Sequence, residues 1–161
     1  MQKDFASTLA ALVVGAVPVL LIPYAILKAS GGFLGATPAF LKVCSFILAV
    51  IGILAVGWVA LVFPTKGKGT PVPILPPKEF VAHGLYRYVR NPMYLGALLI
   101  LVAEAAFFGS PMLLLYTAFV GVALHAFLVL LEEPQLERRF GDTYRQYKAR
   151  TPRWIPRSPS D

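Results

Sequence analysis

Four long apolar runs decide what this chain can become: residues 5–27, 39–63, 93–108 and 112–131. A helix rises about 1.5 Å per residue, so about 20 apolar residues cover the roughly 30 Å hydrocarbon core of a bilayer. The third run is short for that task; the other three meet it. Of the 161 residues, 57% are hydrophobic and only 14% charged, far below the usual quarter for a soluble domain. A lone cysteine, Cys44, excludes a disulfide scaffold, and the hydropathy excludes a disordered chain. The pattern predicts an all-α integral membrane protein of one domain with four transmembrane helices.

Connections and charge orient the spans. Gly109-Ser110-Pro111 is all that separates the third and fourth runs, so these two helices are expected to form a tight hairpin. Pro18 and Pro23 are expected to kink the first span, with neighbours satisfying the freed carbonyls. That span is expected to stay as an anchor. It is too long for a signal peptide, and Leu27-Lys28-Ala29-Ser30 is a poor cleavage site. Four crossings put both termini and the middle loop on one side, which then carries 13 of the 15 basic residues, all but Lys28 and Lys42. The positive-inside rule makes that side the cytosol. The domain so divides into two spans (1–63), a cytosolic loop (64–92), the hairpin (93–131) and a cytosolic tail (132–161), multi-pass in a membrane such as the bacterial inner membrane. A net charge of +7 in so apolar a chain points to anionic lipid as partner, not nucleic acid.

Glycine and proline in the middle loop, from Gly67 and Gly69 through Pro71, Pro73, Pro76 and Pro77, preclude a regular helix there. Gly67-Lys68-Gly69 is too short to cradle phosphate and reads as a hinge. The tail from Glu132 to Arg150 reads as one amphipathic helix with Leu136, Phe140, Tyr144 and Tyr147 on a single face. Thr151-Pro152 ends it, and Trp154-Ile155-Pro156 forms an apolar plug suited to the headgroup region.

Charged groups at membrane depth are costly and point to function by default. Glu104 lies within the third run, at the height of Tyr116 and Thr117 on the facing helix, its expected partners. His125 lies two helical turns before Glu132. It reads equally as a packed, hydrogen-bonded histidine or a pocket residue. Glu132 and Glu133 stand at the end of the fourth span, where negative charge opposes the helix dipole. That placement favours a functional role over simple pairing with Arg138 or Arg139. His83 and His125 are the only histidines, so no metal set is formed. No Ser-His-Asp arrangement or dinucleotide fingerprint is present.

The run His83-Gly84-Leu85-Tyr86-Arg87-Tyr88-Val89-Arg90-Asn91-Pro92-Met93-Tyr94-Leu95-Gly96 resembles the G-x-Y-x-x-x-R-[HN]-P-x-Y-x-G signature of the isoprenylcysteine carboxyl methyltransferase family, which is related to the phospholipid methyltransferases. Glu132-Glu133-Pro134-Gln135-Leu136 resembles its E-E-x-x-L, and Phe140-Gly141-Asp142-Thr143-Tyr144-Arg145-Gln146-Tyr147 its F-G-x-x-Y-x-x-Y. The segment from Pro152 to Pro156 is similar to its proline-bounded ending. The resemblance covers about half the chain, residues 78–156. It implies a membrane-embedded methyltransferase using S-adenosylmethionine, held at the cytosolic ends of the last two spans. By position, it implies a cofactor wall of Lys78, Glu79, Phe80, Val81, Tyr86, Asn91, Pro92, Met93, Tyr94 and Glu132. Asn91 keeps hydrogen bonding but gives up the titratable ring of the usual histidine. Leu128 stands where eukaryotic members carry a substrate-holding arginine.

The residue chemistry fits that implication. Glu132 suits the cofactor's ammonium, Arg90 its carboxylate, and Tyr86 and Tyr94 its adenine or sulfonium. An amine or thiol acceptor has Glu133 or His125 as candidate base, with Arg90 in the same catalytic group; a carboxylate acceptor needs none. The expected substrate is a lipophilic small molecule or lipidated chain: a prenylcysteine-like carboxylate, a lipid amine, or a small acid or thiol. Two alternatives compete, a nicotinamide-dependent membrane reductase related to sterol reductases and a non-enzymatic lipid-binding protein. The sequence is silent on oligomeric state.

Overall fold

A computed structural model describes residues 15–31, 37–62 and 83–158. The described residues are helical, with no strand among them. Helix α1 spans Ile22–Ala29, α2 Ala39–Val62, α3 Pro92–Phe108, α4 Pro111–Phe127, α5 Glu133–Phe140 and α6 Asp142–Arg150. Two helical stretches are long and apolar enough to cross a bilayer, Ala39–Leu61 and Pro111–Phe140. The second of these runs α4 through a π-helical turn into α5 without interruption. Helix α3, at 17 residues, rises only about 26 Å by helix geometry. The expected first span is described only from residue 15 onward, and the middle loop only from His83.

Helix α2 is inverted relative to a soluble helix. Its most buried positions are Ser45, Gly52 and Val59, seven residues apart and therefore in one narrow stripe. Phe46, Ile47, Ile53, Leu54 and Leu61 all point outward. Small or polar inside and bulky apolar outside is what hydrocarbon solvent selects, since lipid gives no hydrophobic reason to hide leucine. Helix α4 repeats the arrangement, burying Leu113 and Thr117 while exposing Leu115, Phe119 and Val122.

The main helix–helix contact is α2 against α3, and it is a glycine crossing. A Cβ on Gly52 would lie 2.6 Å from the Gly96 carbonyl oxygen, and one on Gly96 would lie 2.8 Å from that of Gly52. Backbone touches backbone here. Between α3 and α4, Gly109 closes α3 in the left-handed region at φ +59°. The Ser110 side chain then accepts from the Leu113 N–H to cap α4, and Pro111 fills the first turn.

Proline shapes both π-helical turns. One spans Val17–Leu21 and the other Leu128–Glu132, each ending two residues before a proline, Pro23 and Pro134. A proline ring crowds the carbonyl four residues back and offers no N–H, and widening the turn relieves both problems. In the first case the Pro18 carbonyl loses the donor that residue 23 lacks. The Tyr116 hydroxyl replaces it at 2.7 Å. The anticipated kink is therefore a π-turn whose freed acceptor is satisfied from α4.

Two expectations are corrected. The tail is two helices, not one, because Gly141 breaks it at φ +54°, ψ −128°, a conformation glycine adopts at no steric cost. No hydrogen bond joins Glu104 to Tyr116 or Thr117 among the described residues. Each hydroxyl finds a backbone carbonyl instead, Tyr116 that of Pro18 and Thr117 that of Leu113 at 2.7 Å. The buried Oε2 of Glu104 has no hydrogen-bond partner among the described residues.

Gly52→Ala should lower unfolding stability in detergent by about 1–3 kcal/mol through overpacking. Gly57→Ala, on the same helix with nothing within 4 Å of its would-be Cβ, should be neutral or stabilising by up to about 1 kcal/mol. Equal effects at the two positions would remove the glycine crossing as the packing determinant.

Candidate active site

The segment ahead of α3 is built around Gly84. Its φ of +60° favours glycine, and a Cβ there would overlap the Trp58 ring of α2. A single 3-10 turn, Gly84–Arg87, follows and sets Tyr86 beside Trp58 with ring centroids 6.3 Å apart. Val89 is buried, and Asn91 and Pro92 start α3.

The C-terminal tail is laid back along this segment by backbone and side-chain bonds. The Arg90 N–H donates to the Pro152 carbonyl at 2.9 Å and the Arg157 N–H to the Tyr88 carbonyl at 3.0 Å. Asn91 Nδ2 donates to the Arg153 carbonyl at 3.3 Å, and the Tyr147 hydroxyl to the Tyr86 carbonyl at 2.7 Å. Farther up α4, Trp154 Nε1 donates to His125 Nδ1 at 3.1 Å and the two rings stack. Burial pushes the Tyr86 and Tyr147 phenols up, and Tyr144 up to about 12. All three stay protonated across the physiological range.

The twin acids point to different partners. Glu133 is 4% exposed. Its Oε1 accepts from Arg90 at 2.9 Å and from Arg153 Nε at 2.7 Å, and its Oε2 from Arg153 at 3.0 Å. Lys148 adds a looser contact at 3.7 Å. The hydrogen bond to Glu133 raises the Arg153 pKa further. Glu132 faces inward instead, where its Oε2 accepts from the Tyr94 hydroxyl at 2.9 Å. Its charge also reaches Tyr86. Trp58, Tyr86, Tyr94 and Glu132 thus gather at the ends of α2, α3 and α4. Two buried nitrogens beside them, Arg90 Nε and His83 Nε2, have no hydrogen-bond partner among the described residues.

A family model described as phospholipid methyltransferase matches residues 40–143, from the start of α2 into α6. The chain belongs to the phospholipid methyltransferase family. Methanethiol S-methyltransferase 1 of Bradyrhizobium diazoefficiens is 39% identical over 90 residues, 50% of this chain but 27% of that protein. An uncharacterized protein of Haemophilus influenzae is 38% identical over 63 residues, 39% of this chain and 100% of that protein. The family match makes this a membrane methyltransferase fold and favours methyl transfer over the nicotinamide-reductase reading.

Most residues expected to line the site of this phospholipid methyltransferase relative do converge. Tyr86, Arg90, Asn91, Pro92, Met93, Tyr94, Glu132 and Glu133 lie along one seam, where α3 begins and α4 ends. Lys78, Glu79, Phe80 and Val81 lie outside the described residues. His125 is not at the seam but bonded to the tail through Trp154. Glu133 does not pair with Arg138 or Arg139, the alternative disfavoured on helix-dipole grounds: its partners are Arg90, Arg153 and Lys148. Arg139 instead lies over the Phe140 ring. Sequence reasoning missed Trp58, which no local pattern marks. It also missed Arg153, whose one signal is its place between Pro152 and Trp154 in the proline-bounded ending.

Glu133→Gln should cost on the order of 3 kcal/mol, because it leaves Arg90 and Arg153 short of a buried counter-charge. Lys148→Ala, removing an outer contact at 3.7 Å, should cost less than about 1 kcal/mol. Detergent unfolding reads both, and limited proteolysis should release the tail of Glu133→Gln first.

Proposed function

We propose that this protein transfers a methyl group from S-adenosylmethionine to a small or membrane-borne lipophile at the cytosolic end of a four-pass helical domain with both termini in the cytosol. The single observation that carries the proposal is the inward carboxylate of Glu132, hydrogen-bonded to Tyr94 at 2.9 Å beside the aromatic pair Trp58 and Tyr86. The residues present fit the cofactor. Glu132 supplies charge for an ammonium, and the unpaired Arg90 Nε is a donor for a carboxylate. The rings of Trp58, Tyr86 and Tyr94 suit an adenine or a sulfonium, with Asn91, Pro92 and Met93 closing the wall. When bound, the cofactor supplies an electrophilic methyl group for in-line displacement. The protein's own work is to align the acceptor and keep water out.

The roles of the other polar residues are set by how they are held. Glu133 is paired with Arg90 and Arg153 and serves as a positioning residue, since a carboxylate so compensated is a poor proton acceptor. His125 Nδ1 accepts from Trp154, so in the neutral ring the proton sits on Nε2 and no basic nitrogen is free. Such a site suits an acceptor whose anion is the nucleophile, a carboxylate or the small, strongly nucleophilic thiolate fraction of a thiol, better than a lipid amine. The relative named for methanethiol S-methylation supports the thiol end of that range.

Glu132→Ala should weaken S-adenosylmethionine binding by tenfold or more, and Tyr94→Phe by about threefold to tenfold, the value of one ordinary hydrogen bond. Isothermal titration in detergent measures both. A labelled-methyl assay with paired thiol, carboxylate and amine lipophiles then reads the acceptor. Unchanged affinity in Glu132→Ala would sink the site assignment, and labelling of amines alone would sink the acceptor class.

A further inference from the structure

On the outer side of Glu133 the two tail helices enclose a second recess of about 370 Å³, at the small end of the range for ligand sites. Its walls carry four cations, Arg138, Arg145, Lys148 and Arg153, over an apolar floor of Val129 and Pro134. Two carboxylates, Glu133 and Glu137, complete it. They do not neutralise it. Glu133 shares its charge with Arg90, which lies outside the recess. Glu137 is divided between Arg145 at 2.9 Å and Lys148 at 3.5 Å. Arg138 has no hydrogen-bond or ion-pair partner among the described residues.

We propose that this recess binds the phosphate of an anionic phospholipid. Its place in the fold selects a lipid over a soluble anion. Val129 belongs to the π-turn that ends the membrane helix. Leu130 and Leu131 beside it are 70% and 51% exposed, and Ile155 in the adjoining tail is 80% exposed. Bulky apolar groups left open around a cationic recess match a ligand with a charged head and acyl chains. Arg138 is free to meet a phosphate oxygen, and Lys148 need only share charge it now spreads over Glu133 and Glu137, while Arg145 stays held by Glu137 and by Asp142 at 2.9 Å. The lipid would tie α5 and α6 to the membrane surface without entering the methyl-transfer site.

The test is native mass spectrometry of the full chain in detergent, with phosphatidylglycerol and phosphatidylcholine of identical acyl chains. The expected result is preferential retention of phosphatidylglycerol. Arg138→Gln should cut that preference about fivefold and the Arg138→Gln, Lys148→Gln pair roughly thirtyfold, at about 1 kcal/mol per cation facing an anionic surface. Arg150→Gln, which removes the same charge outside the recess, should leave it unchanged. Equal retention of the two lipids overturns the proposal, as does an equal loss in Arg150→Gln, which would mean a diffuse basic surface. Displacement by millimolar glycerol phosphate would likewise overturn it in favour of a soluble ligand. The readout needs no methyl transfer, so it succeeds or fails separately from the enzyme assignment.

Discussion

One buried carboxylate holds this structure together at its working end. Glu133 joins the segment before α3, through Arg90, to the tail, through Arg153, and does so from the point where the longest membrane helix becomes the tail. Its oxygens take three hydrogen bonds between 2.7 and 3.0 Å at 4% exposure. Burying one ion pair often returns little, since desolvation offsets attraction. Here one anion serves two guanidiniums, and the Arg153 contact is bidentate, which recovers more of that cost. The more important consequence is geometric. Once Glu133 is fixed, its neighbour Glu132 must face elsewhere on the turn, and it faces Tyr94.

That division of labour depends on the next residue, a proline. Pro134 cannot donate to the helix ladder, and the backbone answers with the π-turn Leu128–Glu132. A π-turn adds a residue to the circuit and rotates the later residues relative to the apolar face before it. The acids at its end therefore leave the register of the lipid-facing helix and turn toward the α3 side. The first π-turn, ahead of Pro23, shows the other side of the same physics. A freed carbonyl inside a membrane needs a donor, and Tyr116 provides it.

The features legible in the sequence were those that depend on local pattern. Apolar length located α2 and α4, Gly109-Ser110-Pro111 located the turn between α3 and α4, and the motif order put Arg90 and the two acids in one place. The rest turns on contacts that no local rule ranks. Glu133 and Arg90 are separated by 43 residues, and Tyr116 and Pro18 by 98. Arg138 and Arg139 were the arginines that nearness in sequence offered to Glu133. Arg153 won because the chain reverses between α6 and the tail. Gly141 was within the tail motif, yet periodicity alone carried a helix straight through it. Trp58 was invisible because its role is to be the surface against which Gly84 and Tyr86 pack.

The chemistry left open by these contacts is narrower than the family as a whole. A methyltransferase acting on amines must take up a proton for each neutral product it makes, so it needs a base with a free lone pair near the acceptor. Among the described polar groups, Glu133 is compensated by arginines, His125 is away from the seam and committed to Trp154, and the tyrosines Tyr86, Tyr144 and Tyr147 stay protonated. Glu132 is the remaining carboxylate at the seam, and it is the group the cofactor's ammonium would claim. An acceptor that sheds its proton to water before it reaches the seam avoids that conflict. A carboxylic acid does so fully at neutral pH and a thiol in small part, giving a minor but strongly nucleophilic thiolate fraction, whereas a lipid ammonium holds its proton. The arrangement that anchors the tail is thus the same one that restricts the nucleophile: every side chain spent on holding Arg90 and Arg153 in place is one fewer available to carry a proton.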